Sequence, residues 1–92
     1  MLKPSYSRQF ERDLKKMLKQ GKKGGKIKAV IRLLIDDEPL PPLPLKYKDH
    51  KLVGNYVGRR ECHIESDWLL VYKKTTEEII FERTGTHSDL FK

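Results

Sequence analysis

Residues 59–84 read "RRECHIESDWLLVYKKTTEEIIFERT", and the fold turns on them. Three runs of strand length stand in this stretch: "RRECHIE" (59–65), "WLLVYK" (68–73) and "EIIFERT" (78–84). The connectors "SD" and "TTE" are short and polar, so the predicted arrangement is an antiparallel meander. Side chains alternate across a strand. In the first run Cys62 and Ile64 therefore face one way, and Glu61, His63 and Glu65 face the other.

The N-terminal half supplies something to cover one of these faces. "LKPSY" (2–6) fits a short edge strand, where Pro4 is tolerated. "SRQFERDLKKMLKQG" (7–21) reads as a helix, with Ser7 as N-cap and Gly21 as stop. Tyr6, Phe10, Leu14, Met17 and Leu18 fall on one stripe of it. "GKKGG" breaks that helix. "KIKAVIRLLIDD" (26–37) forms a second one, with Ile27, Val30, Ile31, Leu34 and Ile35 on one face. "EPLPPLPL" (38–45) holds four of the five prolines and is an extended connector. "HSDLFK" (87–92) closes the chain as one turn of helix.

The expected fold is α+β, in the order β-α-α-β-β-β. Two amphipathic helices pack on one face of a mainly antiparallel sheet. If Cys62 and Ile64 lie under the helices, Glu61 and His63 project from the opposite, open face.

Size and composition agree with this plan. A chain of 92 residues is read as one domain, 1–92, with a modest core. Charged residues make up 36% and hydrophobic ones 37%, but the latter come in patterned blocks, which argues against disorder. No apolar run approaches the ~20 residues of a membrane span, and "MLKPSYSRQF" lacks the apolar core of a signal peptide. The single cysteine allows no intrachain disulfide, so a reducing cytoplasm is the expected compartment.

The net charge of +7 is unevenly placed. Residues 1–32 carry eleven Lys or Arg against Glu11 and Asp13, and residues 33–92 carry nine against eleven acids. The first part is therefore +9 and the second −2. A basic half of this strength suits a polyanion or an acidic protein. A solvated helix face gives the same composition.

Three histidines stand in separate segments: His50 in "YKDHKLVGNY", His63 in the first meander strand, and His87 in "RTGTHSDLF". Histidine is the side chain whose charge changes near neutral pH. A pair of them can serve as general base and general acid, and a carboxylate such as Asp67 can set a tautomer. Cleavage of RNA by its own 2′-hydroxyl needs such a pair. One group takes the 2′-OH proton, the other protonates the leaving 5′-oxygen, and a cation stabilises the phosphorane-like transition state. Arg83, Lys46 and Lys48 are candidates for that charge. The same histidines with Asp67 are also candidate metal ligands, although the sequence has no HExxH and no CxxC. Each has a plainer reading too: a strand histidine on the surface, Asp67 as a turn residue, Trp68 and Phe91 as core aromatics.

Taken together, "YKDHKLVGNYVGRRECHIESDWLLVYK" and "FERTGTHSDLF" resemble the YafQ branch of the RelE/ParE superfamily of bacterial type II toxins. The pattern DH-x-L-x-G appears as Asp49, His50, Leu52 and Gly54. R-x-x-H-I-x-P-D-W appears as Arg60, His63, Ile64, Asp67 and Trp68, and R-x-G-[TS]-H-x-x-L-F as Arg83, Gly85, Thr86, His87, Leu90 and Phe91. The match spans residues 47–91. Ser66 replaces the usual proline, and Tyr56 a common tryptophan.

The resemblance implies a RelE-like fold and a ribosome-dependent mRNA endonuclease that needs no metal or other cofactor and is held inactive by an acidic antitoxin. It implies catalytic roles for His50, His63, Asp67 and His87. Phe91 is implied as the aromatic that positions substrate, and Arg83 and Glu61 as residues tied to activity. Lys15, Lys19, Lys22, Lys23, Lys46 and Lys48 are the expected RNA contacts, against rRNA of the ribosomal A site as well as mRNA. The rival class is a binder without catalysis, either an RNA-binding module or a ParE-like gyrase inhibitor. The three histidines with Asp67 are what such a binder does not require.

Overall fold

The computed structural model describes residues 1–36, 50–52 and 58–91. The proline-rich connector, Lys46 and Lys48 lie outside them. Eight elements follow in order: β1 (Lys3–Tyr6), α1 (Arg8–Lys19), α2 (Gly24–Asp36), β2 (His50–Lys51), β3 (Arg60–Glu65), β4 (Trp68–Lys74), β5 (Glu78–Gly85) and α3 (His87–Leu90). They form one five-stranded sheet in the order β1-β5-β4-β3-β2. The meander β3-β4-β5 is antiparallel, β2 adds antiparallel to β3, and β1 runs parallel to β5 at the edge. This is the expected α+β class. It carries two details beyond the sequence reading, the strand β2 and the parallel direction of β1.

Local chemistry explains the helix ends. Ser7 is the N-cap of α1: its Oγ accepts the Phe10 N–H at 2.9 Å. The same hydroxyl donates to the Glu82 carbonyl at 2.9 Å, which ties the start of α1 to β5. Just past α1, Gly21 takes φ +90°, a left-handed conformation that glycine adopts without steric cost. The second helix begins at Gly24, two residues earlier than its sequence pattern suggests, so Gly24 and Gly25 of "GKKGG" join its first turn. Glycine is a poor helix former inside a helix but tolerable at an end.

The helices cover one face. Phe10 and Met17 of α1, and Ile27, Val30 and Leu34 of α2, are buried. They share a core with Cys62, Ile64, Trp68, Leu70, Tyr72, Ile79 and Phe81. Trp68 Nε1–H donates to Thr84 Oγ1 at 2.9 Å, and that hydroxyl donates to the Leu69 carbonyl at 2.7 Å. A buried indole N–H thereby keeps a partner.

Two register shifts set the directions of key side chains. Between β4 and β5, Val71 pairs with Arg83 and Tyr72 with Phe81, so Glu82 is an extra residue. Arg83 thus loses the strand parity it shares in sequence with Ile79 and Phe81, as a bulge requires. Arg83 Nε donates to Asp13 of α1 at 2.7 Å, and the Thr84 N–H donates to the same carboxylate oxygen at 3.2 Å. β1 pairs with β5 only as far as Phe81. Asp13 thus supplies an acceptor at the β5 edge beyond that point. Between β3 and β4 the shift falls between His63 and Glu65.

Candidate active site on the open face of the sheet

Cys62 and Ile64 are buried beneath the helices, and Glu61 and His63 take the other face, as alternation predicts. That face is not bare. Leu69 and Val71 of β4 meet Leu90 of α3 and the partly buried Leu52 in a second, smaller apolar cluster. The cluster gives α3 a seat on the sheet, beside the histidines.

The three histidines form a row. His50 pairs with Glu61 across β2 and β3, which puts their side chains on one face. The His50 and His63 rings are 6.3 Å apart between centroids, and those of His63 and His87 are 5.6 Å apart. Each end of the His63–His87 pair has a carboxylate. His63 Nε2 lies 3.2 Å from Glu61 Oε1, with the two side chains only 17% and 6% exposed. His87 Nδ1 lies 2.6 Å from Asp67 Oδ1, with both side chains more than half exposed. Asp67 Oδ1 also accepts the His87 backbone N–H at 2.9 Å.

These contacts explain the electrostatics. The Asp67 carboxyl is held below its usual range, first by the His87 backbone N–H and next by the His87 ring. Asp67 therefore stays ionised at neutral pH. With Nδ1 committed to Asp67, Nε2 is the His87 nitrogen left to exchange a proton with a substrate. Glu65, at the end of β3, is likewise lowered, by Lys26 and then Lys22, whose ammonium groups stand 2.8 and 3.1 Å from it.

The remaining expected residues divide. Phe91 follows α3 as its C-cap and is 37% exposed. Its N–H donates to the His87 carbonyl at 2.8 Å, so one turn links the two residues, as the four-residue spacing implies. Trp68 is a core aromatic, fully buried. Lys22 Nζ stands 3.1 Å from Glu65, with its side chain partly exposed. Lys15, Lys19 and Lys23 are exposed.

Glu61, His63 and His87 place one ligand atom each within 4.8 Å of one another, which is metal-ligand spacing. No site role is expected from sequence for Asp13, Thr86 or Asp89, Thr86 standing only in the family pattern. A signal for the last two was present: T-x-x-D is a capping-box pattern.

β2, β3, the turn before β4 and the one-turn helix α3 bring three histidines and two carboxylates together on the sheet face away from α1 and α2. The sequence matches the family described as "Bacterial toxin of type II toxin-antitoxin system, YafQ" over residues 2–92, and the chain belongs to that family. It is 46% identical over 86 residues to the mRNA interferase toxin YafQ of Escherichia coli K12, covering 94% of this chain and 91% of that one. It superposes on the crystal structure of YafQ from E. coli BL21(DE3) with a TM-score of 0.93 at 43% identity, covering 100% of each chain. The E. coli DinJ–YafQ complex matches at 0.91 and 44% identity, again over 100% of each chain. A metal-bound toxin from Helicobacter pylori matches at 0.87 and 40%, covering 99% of this chain and 100% of that chain.

Proposed function

We propose that this chain is an mRNA interferase, the endoribonuclease toxin of a type II toxin–antitoxin pair, acting on mRNA in the ribosomal A site. The observation that carries the reading is the row Asp67–His87–His63–Glu61, with His50 beyond it, on the sheet face opposite the helices. A binder without catalysis has no use for two imidazoles 5.6 Å apart, each with its own carboxylate.

The reaction this arrangement supports is transfer within the RNA. His50 or His63 takes the proton of the 2′-hydroxyl, whose oxygen attacks the neighbouring phosphorus. The bond from phosphorus to the 5′-oxygen breaks, and His87 Nε2 gives its proton to that leaving oxygen. The products are a 2′,3′-cyclic phosphate and a 5′-hydroxyl. Glu61 orients His63, and Asp67 holds the His87 ring. Phe91 offers a ring on which a base stacks. Arg83, which the family pattern ties to activity, is the cation assigned to charge stabilisation. Lys15, Lys19 and Lys23 contact rRNA through phosphates, which position without specifying sequence. The cognate antitoxin is an acidic protein whose flexible segment folds onto this basic chain; the E. coli relative is solved in complex with DinJ.

The test is a translation extract with a reporter mRNA. Wild-type protein cleaves the message, and His87→Ala folds and loses on the order of 10²–10⁴-fold of the rate. Intact mRNA alongside inhibited gyrase would overturn the nuclease reading in favour of a ParE-like one.

One observation favours a second reading. Glu61, His63 and His87 have metal-ligand spacing, and the H. pylori relative is described as metal-bound. The metal-free mechanism requires cleavage to survive EDTA once the ribosome's own magnesium is restored. Cleavage that returns only with a stoichiometric transition metal would establish the metal reading.

A further inference from the structure

We infer that Asp89 is a positioning residue for cleavage: its carboxylate aims the one-turn helix that carries His87 and Phe91. This rests on the reading of His87 as the proton donor.

Four residues cannot hold a helix by themselves, because nucleation costs more than one turn of hydrogen bonds returns. Something outside α3 must hold it, and three contacts converge on Asp89. Its Oδ2 accepts the Thr86 N–H at 3.1 Å, while its own N–H donates to Thr86 Oγ1 at 3.1 Å, which closes a reciprocal capping box. Its Oδ1 accepts from Lys16 Nζ of α1 at 3.0 Å. Gly85 supplies the third: a Cβ there would meet Asp89 Cβ at 3.0 Å and Oδ2 at 3.2 Å. The absence of a side chain at residue 85 is what admits the carboxylate.

One group thus joins the end of β5, the first turn of α3 and the flank of α1. The Asp89 carboxyl is held below its usual range by Lys16 and then by the Thr86 N–H, so it is charged throughout the working range. Asp67 holds the His87 ring from the other side, and Leu90 seats the helix on Leu69 and Val71. Asp67 and Leu90 fix where α3 lies. Asp89 fixes the direction of its first turn, and hence the position of His87 Nε2 against a leaving oxygen. Misplacement by about 1 Å is enough to cost rate without loss of binding.

The experiment uses the full chain, with cleavage rates measured against the concentration of mRNA-programmed ribosomes. Asp89→Ala should lower kcat on the order of 10- to 100-fold with KM little changed. Asp89→Asn keeps an oxygen for the Thr86 N–H, so it should restore most of kcat. Lys16→Ala leaves the capping box and should cost about two- to fivefold, the range of an exposed pair.

Hydrogen exchange at the Phe91 amide, which donates to the His87 carbonyl, reads α3 without any substrate. Protection should fall in Asp89→Ala and return in Asp89→Asn. Wild-type kcat and protection in Asp89→Ala would overturn the inference, as would failure of Asn to restore either. If Asp89→Ala does not fold, Lys16→Ala decides, with wild-type kcat and protection counting against. His87→Ala is the separate arm: a wild-type rate there removes the reading of His87 itself, whereas an inactive His87→Ala beside a fully active Asp89→Ala removes only the role of Asp89.

Discussion

Cys62 and His63 are neighbours in β3, yet Cys62 is fully buried among the residues under the helices while His63 lies on the face with Glu61, His50 and His87. The same division runs along β4, where Trp68, Leu70 and Tyr72 join the large core and Leu69 and Val71 the small one. The helix-covered face is bound by burial of apolar area and tolerates little loss. The histidine face is bound by a few polar contacts around a small apolar seat. Its His87 and Asp67 side chains are more than half exposed. A sheet covered on one side separates the task of folding from the task of chemistry.

Substitutions on the two faces should break in different ways. Trp68→Ala removes a fully buried ring and the donor to Thr84. It should destabilise by about 3–5 kcal/mol, a large part of what a small domain has, and activity should be lost with the fold. Urea denaturation followed by circular dichroism checks this. His87→Ala should do the opposite, leaving the urea midpoint near wild type while cleavage collapses. A large drop in the midpoint of His87→Ala would mean that the two faces are not independent.

Glu61 tests the boundary between them, being buried yet facing His63. Glu61→Gln keeps the shape and removes the charge. Losing a hydrogen bond to a charged group corresponds to roughly 1.5–3 kcal/mol, so cleavage should fall about 10- to 100-fold. A full rate in Glu61→Gln would mean that His63 needs no carboxylate.

The pH dependence of α3 follows from Asp67 and Asp89, whose folded pKa values are both lowered. A depressed carboxyl adds stability that is fully present above its unfolded value, about 3.9, and is lost as pH falls through the folded one. Protection of the Phe91 amide should therefore hold from neutral pH down to about 4 and fade only below it. Loss of protection well above that pH would show that the two carboxylates do not hold the helix.

The smallest effect belongs to the exposed pairs of Glu65 with Lys22 and Lys26. Replacing both lysines with alanine should leave the thermal midpoint unchanged within error, because exposed ion pairs contribute little. If cleavage on ribosomes nevertheless falls, and falls further as salt is raised, these lysines act on RNA and not on the fold.

Much of this was legible before any coordinates, wherever the signal is local. Alternation in "ECHIE" assigns Cys62 and His63 to opposite faces because side-chain direction depends on the neighbouring residue alone. Ser7 and Gly21 mark the ends of the α1 region because capping is decided within one turn. The pattern from His50 to Phe91 identified the family, and the matched relatives agree.

The rest needed contacts between distant residues. β2 is two residues long, too short to show a period. The bulge at Glu82 shifts Arg83 out of step with Phe81, and strand parity cannot foresee an inserted residue; its ion pair with Asp13 joins residues seventy positions apart in sequence. Lys22 meets Glu65, and Lys16 meets Asp89, only because α1 and the loop after it lie along the sheet. The sequence by itself determined which residue types stand on each face and which family they belong to. The tertiary structure alone decided that His50, His63 and His87 stand in one row, because the distance between side chains on different strands depends on register and pairing, and those are settled only when the whole sheet packs against its helices.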